Sequence, residues 1–306
     1  MTDAVAVVDC GSNSTRLLVA DASGRTLSRE MRITRLSAGV DATGRLAPDA
    51  LARTFAVLGE FRGLMDVLRV RRGMVVGTSA IRDAANRDEF VEGAHEITGI
   101  QVRVLDGQTE AEFSYDGATS GLEADPRVTM IVDVGGGSTE LAARFDGVLH
   151  AVSMQLGCVR VTERALGRDA VTESRRLAAQ AMIDDAIDAA VSSDPRLGSV
   201  ADGVRLVGLA GTVATLVQLD LGLAHYERAA VHHHLVRRTT VQVWRDRLSH
   251  ETPEERLAHA GMVHGREDVL VAGLMVLDAV MARVGADELL SSESDILDGV
   301  AAWLLR

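Results

Sequence analysis

The sequence contains no lysine; all 32 basic residues are arginine. A Walker A loop needs Gly-Lys-Ser/Thr, and a Schiff-base enzyme needs a lysine amine, so both chemistries are excluded. Cysteine is almost absent. Cys10 and Cys158 are too few and too far apart in sequence for a disulfide framework, which makes a reduced cytoplasm the default location. The opening residues MTDAVAVVDCGS offer neither a basic segment nor a cleavable apolar stretch, so no export signal is read there. No apolar run approaches the ~20 residues of a membrane span, so no membrane partner is expected. Aromatic residues make up only 3% of the chain, which leaves alanine, valine and leucine to fill the core. Positive charge is also short: 44 acidic residues against 32 arginines give a net charge of −12. That balance excludes a nucleic-acid coat, because phosphate backbones are held by basic faces. A small phosphorylated ligand, which needs only local positive groups, remains open.

What the chain does contain is a repetition. Residues 7–16 read VVDCGSNSTR and residues 131–140 read IVDVGGGSTE, an offset of 124 positions (133 − 9). At 306 residues the chain exceeds the usual size of one hydrophobic core. Two α/β domains are therefore expected, over 1–123 and 124–306. In each, a strand meander leads into alternating strands and helices. Strands are expected near 5–9, 16–20, 25–34, 73–77 and 101–105, and again near 128–132, 140–145, 148–154, 203–208 and 288–291. The spacing of Asn86 and Glu89 predicts a helix N-cap with its third residue, and Thr109 with Glu112 predicts a capping box. An amphipathic helix near 295–304 is expected to pack back on the first domain.

A turn rich in glycine and serine between two strands can aim several backbone N–H groups into one concavity, a nest that holds phosphate oxygens. Gly135, Gly136 and Gly137 permit the positive φ values and close approach such a nest uses. Ser12, Asn13, Ser14, Ser138 and Thr139 would add side-chain donors. A tight hairpin alone also favours these residue types, so two equivalent loops count for more than one. A third stretch, VGLAGTVA at 207–214, is a strand, a glycine turn and a helix start, with Gly211 and Thr212 at a further anion site.

The segments DCGSNSTRLL, GTSAIRDAANRDEF, GQTEAE, DVGGGSTEL, LGCVRVTE, GLAGTVAT and SDILDGV follow one another in a telling order. In that order the chain resembles the short form of the exopolyphosphatase/guanosine pentaphosphate phosphohydrolase (Ppx/GppA) family, within the acetate/sugar kinase–Hsp70–actin superfamily. The resemblance spans almost the whole chain. It implies two tandem actin-like, ribonuclease H-like α/β domains with an interdomain cleft. It also implies metal-dependent hydrolysis of the terminal phosphoanhydride of linear polyphosphate, with guanosine pentaphosphate (pppGpp) as the second substrate, in a homodimer.

On the matching positions the resemblance makes Glu110 the base that activates water, although family members often carry a second glutamate where this chain has Thr109. It makes Asp133 and Glu140 carboxylates for Mg2+ (or Mn2+), with Asp9 the equivalent acid of the first loop. Arg82 and the Thr78-Ser79 turn would grip phosphate, and Arg16 is a further candidate. On residue chemistry alone, Glu110 reads rather as an acid balancing the helix dipole, while Asp9 equally suits a cap for loop amides. Cys158 is expected beside the site rather than reactive, Arg266 and Asp268 in a structural segment, and His232-His233-His234 in a structural role rather than at a metal. Two functional rivals stay open: a kinase of the same superfamily, and a non-catalytic sensor of polyphosphate or alarmone.

Overall fold

β1 (Val5–Cys10) is buried along its whole length, because each of its two faces meets its own apolar cluster. Ala6, Val8 and Cys10 face the helices Pro48–Val67 and Arg87–Thr98, while Val5 and Val7 face the opposite layer. A strand covered on both sides reads as a continuous apolar run, which is why VAVV was legible. The computed structural model describes residues 4–198, 200 and 203–306; the opening Met1-Thr2-Asp3 lies outside the described residues.

The chain divides into two compact units, Met1–Gly117 with Ile296–Arg306, and Ala118–Asp295. In the first, β1, β2 (Ser14–Ala20), β3 (Thr26–Ile33), β4 (Arg72–Gly77) and β5 (Gln101–Val104) form a sheet of order β3-β2-β1-β4-β5. The meander is antiparallel, and β4 and β5 join it in parallel. In the second, β6 (Val128–Val134), β7 (Thr139–Phe145), β8 (Val148–Met154), β9 (Val204–Leu209), β10 (Leu235–Arg237) and β11 (Glu288–Ser291) form the order β10-β11-β9-β6-β7-β8. Without the short antiparallel edge strand β10, that order and those directions are those of the first sheet. Each unit thus carries the sheet of an actin-like domain.

The helix Ile296–Leu305 covers the second face of the first sheet, where Ile296, Leu297, Val300 and Ala301 join Val5, Val7, Leu18, Met74 and Val76. Gly299 lets this helix approach the helix Gly107–Thr119 closely, since a Cβ there would lie 2.0 Å from the Phe113 carbonyl oxygen. Arg29 fixes the same helix by donating to both carboxylate oxygens of Asp298, at 2.7 and 2.6 Å. No helix among the described residues is long and apolar enough to cross a membrane.

Two expected caps differ. Helix Gly107–Thr119 is capped by Asp106, whose Oδ1 accepts from the Thr109 amide at 2.7 Å, rather than by Thr109 itself. The helix starts a turn earlier than the Thr109–Glu112 spacing implied, so Thr109 becomes its third residue. Asn86 does sit at an N-cap, yet its amide is spent on both backbone groups of Leu46 and on Glu89 Oε2. It anchors a neighbouring loop instead of the helix end.

Candidate active site

In the first unit the loop after β1 is a tight turn in which the Gly11 amide donates to the Ser14 carbonyl at 3.0 Å. Behind it, the segment following β3 donates amides to the loop carbonyls: Ser37 to Ser12, and both Thr34 and Arg35 to Asn13. In a planar trans peptide, the C=O and the following N–H point opposite ways. Engaging these carbonyls from behind therefore turns the Asn13 and Ser14 amides outward. Ser12 and Ser79 meet through their hydroxyls at 3.3 Å, which joins this loop to the Thr78-Ser79 turn. Thr78 is the N-cap of the short helix Ser79–Asp83.

From that helix Arg82 Nη1 donates to the Leu105 carbonyl and to Glu110 Oε2, both at 2.9 Å. Two residues read as separate candidates, the phosphate grip and the base, are thus in contact. Glu110 lies in the first turn of its helix and is 8% exposed. Asp106 beside it is held below the ordinary carboxylate range, first by the Thr109 amide and then by the Thr109 hydroxyl. Asp9 and Arg16 are also brought together: they are register partners across β1 and β2, and Arg16 Nε and Nη2 donate to Asp9 Oδ2 at 3.0 and 2.6 Å.

The second unit repeats the turn, with the Gly135 amide donating to the Ser138 carbonyl at 3.0 Å. Again the segment after the third strand engages the loop from behind. The Gly135 carbonyl accepts from the Cys158 amide, and that of Gly136 from the Val159 and Arg160 amides. The Gly137 carbonyl accepts from Arg160 Nε at 2.8 Å. The Gly136, Gly137 and Ser138 amides accordingly face away from that segment, as a nest for anions requires.

The expected positive φ is not found at Gly135, nor at its counterpart Gly11. Glycine is needed for space: a Cβ on Gly135 would sit 3.0 Å from the Ser138 carbonyl, and one on Gly157 would sit 2.3 Å from that of Gly136. The hydroxyls of Thr139 and Thr212 are also differently employed. Each has one proton to donate, and they give it to the Leu156 and Val134 carbonyls from fully buried positions. In this arrangement they brace the loops.

Asp133 and Glu140 are register partners across β6 and β7, so both carboxylates project from one face of the sheet. They are 9% and 1% exposed, and Ser153 donates to Glu140 Oε1 at 2.7 Å. Two carboxylates placed opposite one another repel, and a divalent cation offsets that cost. Among the described residues no group of three or more His, Cys, Asp or Glu could hold a metal. A pair suits Mg2+, which takes one or two carboxylates and completes its shell with water and substrate oxygens.

The third loop leads from β9 into the helix Ala210–Leu221. Ala210 is left-handed, with φ 64°. Gly211 lies directly against Arg266, whose guanidinium carbon would be 1.8 Å from a Cβ there. Arg266 is nine-tenths buried, so this loop carries a positive charge that sequence reasoning assigned to structure. The glycine of GLAGT was the available signal, since it marks where another group comes close.

Both cysteines are buried, and burial is the largest cause raising each thiol pKa, that of Cys158 to about 11. Neither is a thiolate at neutral pH. His232 and His233 stack at 3.8 Å, and His232 Nδ1 accepts from the Glu293 amide.

A family model described as the Ppx/GppA phosphatase family matches residues 17–304. Exopolyphosphatase 2 of Mycobacterium tuberculosis (strain CDC 1551 / Oshkosh) is 37% identical over 98% of both chains. Among solved structures, an exopolyphosphatase-like protein is 35% identical with a TM-score of 0.90, covering 99% of this chain and 98% of that one. An exopolyphosphatase from Cytophaga hutchinsonii is 25% identical with a TM-score of 0.87, covering 99% and 97%.

Proposed function

Because the chain belongs to the Ppx/GppA phosphatase family, we propose that it is an exopolyphosphatase, hydrolysing the terminal phosphoanhydride of linear polyphosphate to orthophosphate. The observation that carries this reading is the buried Glu110 carboxylate oriented by Arg82. An arginine fork recognises phosphoryl oxygens, and a carboxylate at hydrogen-bond reach of such an arginine can receive a proton from water attacking the same phosphorus. Water oxygen bonds to the terminal phosphorus, the bridging P–O bond breaks, and the water proton passes to Glu110. The outward amides of a hairpin loop can neutralise phosphoryl charge, and catalysis is chiefly positioning and charge stabilisation.

Asp133 and Glu140 would hold Mg2+ (or Mn2+), which supplies further neutralisation of phosphoryl oxygens when bound. Asp9, which accepts from Arg16 through Oδ2, is the further carboxylate we propose for that set. pppGpp is the second substrate we propose. Two buried thiols suit a cytoplasmic protein, and a homodimer is its assembly in this reading.

The test is phosphate release from polyphosphate, pppGpp and ATP by wild type and Glu110→Ala. Removing a general base lowers turnover by about 10²–10⁴-fold. Release that survives the substitution unchanged would sink the assignment, and tight binding without turnover under any divalent metal would leave a sensor.

A further inference from the structure

The LGCVR segment holds the second loop through three backbone amides and one side chain. The Gly135 and Gly136 carbonyls are held from behind by backbone amides of Cys158, Val159 and Arg160, at 2.9 to 3.2 Å. The Gly137 carbonyl is held by a side chain, the half-buried Arg160, through Nε at 2.8 Å. In the first unit the matching Asn13 carbonyl accepts from two backbone amides, those of Thr34 and Arg35. The second loop thus assigns to a guanidinium a task that the first leaves to the main chain.

The direction of the Gly137–Ser138 peptide follows from that bond. With its carbonyl drawn toward Arg160, its amide, the Ser138 N–H, is turned to the opposite side, where the loop's other outward amides lie. A cation on the carbonyl oxygen also polarises the peptide and makes the Ser138 N–H a better donor to an anion. We propose that Arg160 is a positioning residue for the phosphoryl site: it acts through the Gly137–Ser138 peptide, aiming and strengthening the Ser138 amide for a phosphoryl oxygen. This rests on the phosphate-binding reading of the second loop.

The experiment compares wild type with Arg160→Ala and Thr162→Val. Thr162 sits on the same segment, and its hydroxyl donates to the Cys158 carbonyl at 2.7 Å from a buried position. Removing that bond loosens the segment without touching the Gly137 carbonyl. Three readouts are taken on each protein: melting temperature, kcat and KM on polyphosphate, and orthophosphate affinity by calorimetry. Arg160→Ala is expected to raise KM and weaken orthophosphate binding by about tenfold, the worth of one good hydrogen bond to an anion. Its kcat should stay within about twofold, as for an interaction made equally with bound substrate and transition state. Thr162→Val is expected to lower the melting temperature and leave KM in place. Unchanged KM and orthophosphate affinity in Arg160→Ala overturns the proposal. So does a Thr162→Val protein whose KM rises as much at an equal loss of melting temperature. A wild type that turns over no phosphoanhydride, while Arg160→Ala still weakens orthophosphate binding, would refute the exopolyphosphatase reading and leave Arg160 in its role.

Discussion

The two hairpins after β1 and β6 are built on one plan and end in opposite charges. Their turns close with the same amide-to-carbonyl bond, Gly11 to Ser14 and Gly135 to Ser138. Their registers place Asp9 opposite Arg16 and Asp133 opposite Glu140, each pair shifted by 124 (133 − 9 and 140 − 16). In the first hairpin the acid is neutralised within the sheet. In the second, two acids share a face, and Ser153 donates to one of them. One cross-strand position therefore separates an acid–arginine pair from a pair of acids, while the backbone that turns loop amides outward is kept in both.

The sharpest way to break this contrast is Glu140→Arg, which gives the second hairpin the cross-strand pair of the first. Divalent-metal dependence should disappear and turnover should fall by at least about a hundredfold, as loss of metal support does. Rates over a Mg2+ titration check this, and a variant that keeps wild-type metal response would remove Glu140 from the metal pair. The converse change, Arg16→Gln, removes the arginine partner of the Asp9 carboxylate at a 4% exposed position. Breaking a buried pair costs roughly 3–5 kcal/mol. Arg16 is 20% exposed, so screening reduces the expected loss to about 2 kcal/mol. Denaturant unfolding measures it, and adding Asp9→Asn should recover part of the loss, since the buried charge is then gone. The mildest test compares Gly135→Ala with Gly11→Ala. Their Cβ atoms would meet a carbonyl at 3.0 and 3.2 Å, so both should cost about 1 kcal/mol, with Gly135→Ala the more costly. Equal stabilities, or the reverse order, would mean that the two turns yield differently under the same strain.

Much of this was legible in the sequence because local pattern and local structure agree. Buried strands read as apolar runs, and the repeated Asp-x-Gly marked two equivalent turns. Glu110 fell in the first helical turn as expected, although the cap proved to be Asp106, since Asp and Thr are both good N-caps and only the first accepts the bond. What stayed hidden comes from segments distant in sequence. Arg160 reaches a carbonyl 23 residues away and Arg266 lies on Gly211, contacts that no periodicity records. Thr139 and Thr212 were legible as loop residues, but not in the direction of their hydroxyls. A hydroxyl rotates to the nearest buried acceptor, and these acceptors, Leu156 in the connection after β8 and Val134 in β6, lie on other segments.

The helix Ile296–Leu305 has a consequence for the order in which the protein is made. It supplies Ile296, Leu297, Val300 and Ala301 to the core on one face of the first sheet. A nascent chain that has emerged as far as Asp295 already holds every residue of the second unit, but the first unit still lacks that layer. Val5, Val7 and Met74 lack that part of their cover until residues 296–301 leave the ribosome. The half synthesised first is therefore the half completed last, and during elongation its open apolar face is where a chaperone has something to hold.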